Sequence, residues 1–145
     1  MLERFYVNTL QKTDKELKMG PTIYTASKTK HAPKWIELRG KGYNVISTWI
    51  DEHQPGQTEN FADLALRCIQ EPAKADVTIL YCEPGDYLKF ALVEVGAALA
   101  AGKKIIIIGM GRSLSATMLH HPNIQHVQTI EAALELIEVS SEQCV

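Results

Sequence analysis

Two short apolar runs constrain this chain more than any other feature. Residues 76–82 read DVTILYC and residues 104–109 read KIIIIG. A strand with one wet face alternates apolar and polar side chains. These two are apolar almost without a break, as strands covered on both faces are. Such strands belong to parallel sheets flanked by helices. The stretch between them, residues 87–101, is long enough for the helix that a parallel crossover requires, and Gly102 stands where a helix-ending glycine belongs.

The rest of the chain repeats this alternation. Residues 22–26 (TIYTA) and 44–50 (NVISTWI) read as strands, and residues 124–127 as a weaker one. Residues 32–41, 59–69 and 130–139 carry helical spacing of apolar side chains. The expected fold is therefore α/β, a doubly wound three-layer sandwich around a five-stranded parallel sheet in flavodoxin-like order 2-1-3-4-5. One domain is expected over residues 21–145. Residues 1–20, rich in Lys, Thr and Glu and closed by Gly20 and Pro21, form an extension or arm.

Composition removes several classes of function. The formal net charge of −2 gives no basic footprint for a DNA or RNA duplex. No apolar run reaches membrane-spanning length, and the N-terminus lacks the apolar core of a secretory signal. The three cysteines, Cys68, Cys82 and Cys144, form no CxxC pair. A cytoplasmic protein with reduced thiols is expected. His120 and His121 are adjacent, which is poor spacing for two metal ligands on one helix face, so no metal is expected. The glycine-rich run from Gly109 to Ser113 is neither a dinucleotide fingerprint nor a Walker loop, and no cofactor is expected.

In such a sheet, ligands bind beyond the carboxyl ends of the strands, near the point where strand order reverses. The loop from Ser27 to His31, with Lys28 and Lys30, follows the first strand and suits a small anion or a plain helix cap. Asp51 follows the second strand, and Asp86 and Tyr87 follow the third. Tyr24, Trp49 and Tyr81 lie near strand ends, where they can stack on a base or simply fill the core.

Glu94 is the most informative residue. Its helical neighbours Phe90, Ala91, Ala97 and Ala98 are all apolar. A carboxylate on an apolar stripe is expensive unless partnered, and a part-buried one is a candidate nucleophile or acid/base group. The alternative is a side chain that curls to solvent or pairs with Lys89 or Lys104.

Residues 75–109 resemble the core motif of the nucleoside 2-deoxyribosyltransferases and their relatives, the deoxynucleotide N-hydrolases. The matching residues are Ala75 and Asp76 opening a strand, then Glu94, Val95, Gly96 and Ala98 on a helix, then Gly102 and Lys103. Residues 23–27 (IYTAS) resemble the family's first strand and its substrate-facing loop. The resemblance implies cleavage or exchange of the N-glycosidic bond of a nucleoside or nucleotide. Glu94 would attack C1′ to give a covalent glycosyl-enzyme, and Asp86 would be the second acid. The substrate-binding set would be Tyr24, Ser27, Lys28, Trp49, Asp51, Tyr81 and Lys89. It also implies a homodimer or higher homo-oligomer. One departure stands out. The family places an Asp on the helix before the Ala-Asp pair, where this chain reads Leu66, Arg67, Cys68, Ile69, Gln70. Lys89 likewise stands where small residues are expected. These departures keep a rival open, a non-catalytic protein that holds a nucleotide-like signalling ligand. A purely structural subunit is the third possibility.

Overall fold

The computed structural model of the chain describes residues 20–110 and 115–143. Residues 1–19 of the expected arm, residues 111–113 of the glycine-rich run, and Cys144 lie outside the described residues.

The elements in chain order are β1 (Ile23–Ala26), α1 (Ala32–Gly40), α2 (Phe61–Lys74), β2 (Val77–Cys82), α3 (Phe90–Ala100), β3 (Lys104–Gly109), α4 (Ala116–Leu119), β4 (Ile124–Val127) and α5 (Ile130–Gln143). Single 3-10 turns cover Thr29–His31 and Trp49–Glu52. Local chemistry explains the boundaries. Helix α1 carries proline in its first turn, where no amide bond is lost. The Asn60 side chain caps α2 by accepting from the Asp63 amide at 3.1 Å. That helix runs past Ile69, its expected end. Pro72 removes one amide donor, yet the Ala75 amide still reaches the Glu71 carbonyl at 2.9 Å.

Among the described residues the sheet has four strands, all parallel and ordered β1-β2-β3-β4. Ile23 pairs with Val77, Val77 with Lys104, and Ile105 with Ile124. Asp76 fastens the start of β1 to β2. Its carboxylate accepts from the Thr22 amide at 2.8 Å and the Thr22 hydroxyl at 3.0 Å, while its own amide donates to that hydroxyl at 2.8 Å.

The sheet has four strands where five were expected, and the missing one is residues 44–50. That segment lies beside β1, where the order 2-1-3-4-5 puts it, but pairs only through a Val45–Ile23 bridge. The Ile23 amide donates to the Asn44 carbonyl and the Ile46 amide to the Ile23 carbonyl, both at 2.9 Å. Side chains then replace backbone. The Thr25 amide donates to Ser47 Oγ at 2.7 Å, and the Thr25 carbonyl accepts from Trp49 Nε1 at 2.7 Å. With the edge of β1 satisfied this way, the chain turns into the Trp49–Glu52 3-10 turn.

Side chains alternate between the two faces of the sheet. Tyr24 points to the face covered by α2 and α3, toward Cys68 and Glu94. Tyr81 points to the other, where Trp35 of α1 meets its ring edge-on at 5.5 Å. The core is continuous through the sheet: Ile23, Ile79, Leu80, Ile105 and Ile107 are wholly buried or nearly so. At the end of β3, Gly109 has φ of +82°, and a Cβ there would lie 2.1 Å from the Cys82 carbonyl oxygen. Only glycine fits. Among the described residues no helix is long and apolar enough to cross a membrane.

Candidate functional site

A cavity of about 680 Å³ opens at the carboxyl end of β1. Its size is ordinary for a small-molecule site. Ser27, Lys28 and Thr29 form one part of its wall, and Tyr87, Leu88, Lys89, Phe90 and Ala91 another. Phe61, Leu64, Ala65 and Cys68 of α2 and the ring of Trp49 complete the lining, with Glu94 of α3. Phe61 and Tyr87 line it while 75% and 72% exposed, so they form its lip.

Glu94 is 7% exposed, and its Oε2 has no hydrogen-bond partner. Burial pushes its carboxyl up to about 8; the neighbouring Tyr24 hydroxyl pulls the other way, and Glu71 adds to the rise. The Tyr24 hydroxyl is itself buried without a hydrogen-bond partner. Burial first, then Glu94, drives it far above the usual phenol range. Cys68 reaches the same place from α2, its thiol pushed up to about 11 by burial and by Glu94. Thus the side chain that α2 turns toward Glu94 is a thiol. The acids nearby on α2 are engaged elsewhere: Asp63 with Arg67 at 2.9 Å, and Glu71 with the Thr48 amide and hydroxyl at 3.0 and 2.8 Å. Among the described residues, Glu94 is the only carboxyl in the cavity lining.

Buried polar atoms are nearly always paired with protein or water. Two unpaired ones near each other, one of them on a group that lines the cavity, form a place that a ligand's polar atoms or water can complete. The lining also includes the aromatic residues Trp49, Phe61, Tyr87 and Phe90 and the basic residues Lys28 and Lys89. Neither lysine is in an ion pair among the described residues.

The structure gathers Glu94, Ser27, Lys28, Trp49 and Lys89 around the cavity, with Tyr24 behind Glu94. Ser27 is oriented by Trp35, whose Nε1 donates to its Oγ at 2.9 Å. Three other residues fall outside the lining. Asp51 is bound on both oxygens by Arg39, at 2.9 and 3.0 Å, which holds its carboxyl below the usual range. Tyr81 donates to Glu83 at 2.7 Å and packs against His31 and Trp35 on the far face of the sheet. The Asp86 carboxylate has no exposed surface. It pairs with Lys30 at 2.7 Å and accepts from His31 Nε2 at 2.7 Å and the Glu83 amide at 3.0 Å. Burial pushes that carboxyl up, but these three donors together outweigh burial and hold it well below the usual carboxylate range. It therefore stays ionised and is unsuited to donating a proton.

Sequence reasoning missed the α2 wall of Phe61, Leu64, Ala65 and Cys68. Its apolar spacing was legible, but helical periodicity says which side chains share a face and not what they face. Among the described residues no cluster of three or more His, Cys, Asp or Glu is placed to hold a metal ion.

The fold and site together define an α/β domain with a parallel sheet and a carboxylate-floored cavity beyond its first strand. Among solved structures, it is similar to the CMP N-glycosidase BcmB of Clostridium botulinum, with a TM-score of 0.55 and 17% sequence identity over 82% of this chain and 98% of that one. No protein-family profile and no curated protein matches the sequence.

Proposed function

We propose that this chain cleaves the N-glycosidic bond of a nucleotide, with Glu94 as nucleophile. The observation that carries the reading is a buried carboxyl, one oxygen of it unpartnered, on the wall of a cavity of substrate size. The likeness to a CMP N-glycosidase and the resemblance to the nucleoside 2-deoxyribosyltransferases agree with it. A Glu94 oxygen attacks C1′ of the sugar as the C1′–N bond breaks, the bonding pair leaving with the base. Positive charge gathers on the sugar in the transition state, and the carboxylate stabilises it. Water, or a second base, then takes the sugar from the ester. The aromatic walls suit the base, and Lys28 and Lys89 suit a 5′-phosphate. A homodimer or higher homo-oligomer belongs to the same reading. It would cover the exposed Leu66, Ile69, Leu92 and Val93 on the α2–α3 face.

One observation favours a second reading, a binding protein that holds its nucleotide intact. Glycosidases commonly use two carboxyl groups, and among the described residues only one lines this cavity. The ligand's fate separates the two. The purified protein is incubated with cytidine 5′-monophosphate, its 2′-deoxy analogue, cytidine and other nucleotides, with and without an acceptor base, and the products are separated by chromatography. Free or exchanged base supports the enzyme. Ligand that raises the melting temperature yet returns intact supports the binder and overturns the proposed reaction.

A further inference from the structure

Asp86 lies just before one wall of the cavity, and its partners lie just beyond the other. The turn after β1 supplies Ser27, Lys28 and Thr29 to the lining, and its next residues are Lys30 and His31. The loop after β2 supplies Tyr87, Leu88 and Lys89, and Asp86 precedes them. A carboxylate with no exposed surface joins the two, through Lys30 at 2.7 Å and His31 Nε2 at 2.7 Å. An ionised carboxylate only accepts hydrogen bonds, so Nε2 carries the proton. The same carboxylate closes its own loop. Asp86 Oδ2 accepts from the Glu83 amide at 3.0 Å, and the Asp86 amide donates back to the Glu83 carbonyl at 3.0 Å. Gly85, at φ of +87°, permits that turn. His31 is held in turn by the edge of Tyr81, 4.9 Å between ring centroids. Beyond Asp86, no side chain from Tyr87 to Lys89 hydrogen-bonds to another element among the described residues.

We infer that Asp86 is a positioning residue: its carboxylate ties the turn after β1 to the loop after β2 and so fixes the spacing of the cavity's two walls. Its effect on catalysis rests on the nucleotide reading above; its effect on the loops does not. Asparagine at this position keeps the size and removes the charge that Lys30 and His31 meet. Lys30, largely exposed, gives a gentler variant, Lys30→Met, that cuts one tie and leaves the fold alone.

The test is amide hydrogen exchange of residues 27–31 and 83–89 in wild type, Asp86→Asn, Lys30→Met and the double variant. Turnover of cytidine 5′-monophosphate is followed in parallel. Exchange in both loops is expected to quicken about tenfold or more in Asp86→Asn while β3 stays protected. Lys30→Met moves the same way by less, and the double variant is no worse than Asp86→Asn, because the two residues share one tie. The Michaelis constant is expected to rise about tenfold, with a smaller fall in kcat, as misplaced walls weaken binding. Wild-type exchange in both loops of both single variants would overturn the inference. A fall in kcat with unchanged KM would overturn it too, since that marks a proton donor. If the wild-type protein leaves the nucleotide untouched, the proposed function fails, and exchange alone decides the role of Asp86.

Discussion

The indole nitrogen of Trp49 donates to the carbonyl of Thr25 at 2.7 Å, where a neighbouring strand's amide would otherwise sit. Ser47 does the complementary job, its hydroxyl accepting from the Thr25 amide at 2.7 Å and bonding the Thr25 hydroxyl at 2.8 Å. Two side chains thus finish the edge of β1 and deliver the Trp49 ring to the cavity wall. Ser47→Ala leaves the buried Thr25 amide unpaired and is expected to destabilise the fold by about 1–3 kcal/mol. Urea unfolding checks this; an unchanged midpoint would mean the edge is satisfied in some other way.

Gly109→Ala is expected to be far more damaging. The new Cβ meets a backbone oxygen at 2.1 Å, and the residue keeps a positive φ. Backbone cannot yield as a flexible side chain can, so a loss of about 3 kcal/mol or more is expected. Thermal melting of the variant reads it directly.

In the proposed reaction, Glu94 sets the pH dependence. Attack requires the carboxylate, and burial holds its proton up to about pH 8. In the free enzyme kcat/KM should therefore rise with pH and level off above about 8. Tyr24 opposes that shift, so Tyr24→Phe should move the limb higher. A profile flat from pH 6 to 9 would contradict both statements.

The same group links pH to stability. Between its ordinary value near 4.5 and about 8, the folded chain keeps a proton that the unfolded chain has released. Stability from this group is full at the acid end and falls as pH rises through that window. Glu94→Gln should remove the fall and melt a few degrees higher (about 2–4 °C) than wild type at pH 8. Parallel melting curves at pH 5 and pH 8 test the sign.

Lys28 and Lys89 are assigned to a 5′-phosphate. Replacing both with Met should lower kcat/KM for cytidine 5′-monophosphate about tenfold or more while changing cytidine little. The preference for the phosphate should also weaken with added salt. Equal losses on both substrates would assign the lysines to something else.

Much of the fold was legible because apolar pattern and burial are tightly linked. The KIIIIG run became β3 with the expected ends, and DVTILYC became β2 but for its first residue. Residues 44–50 misled because Val, Ile and Trp suit a strand, while Ser47 and Trp49 pair with β1 through side chains that propensity does not register. In the site, Glu94 was legible because its helical neighbours are all apolar. The partners of Asp86 were not, since its place in the loop gave no hint that Lys30 and His31 would reach it from 56 and 55 positions earlier.

The most direct test of the nucleophile is the rate of base release from cytidine 5′-monophosphate by wild-type protein and Glu94→Ala, side by side. Steady release by the wild type and a loss of about a thousandfold or more in a folded variant is the expected result. Release by Glu94→Ala at the wild-type rate would contradict it, and the carboxyl would then need another role.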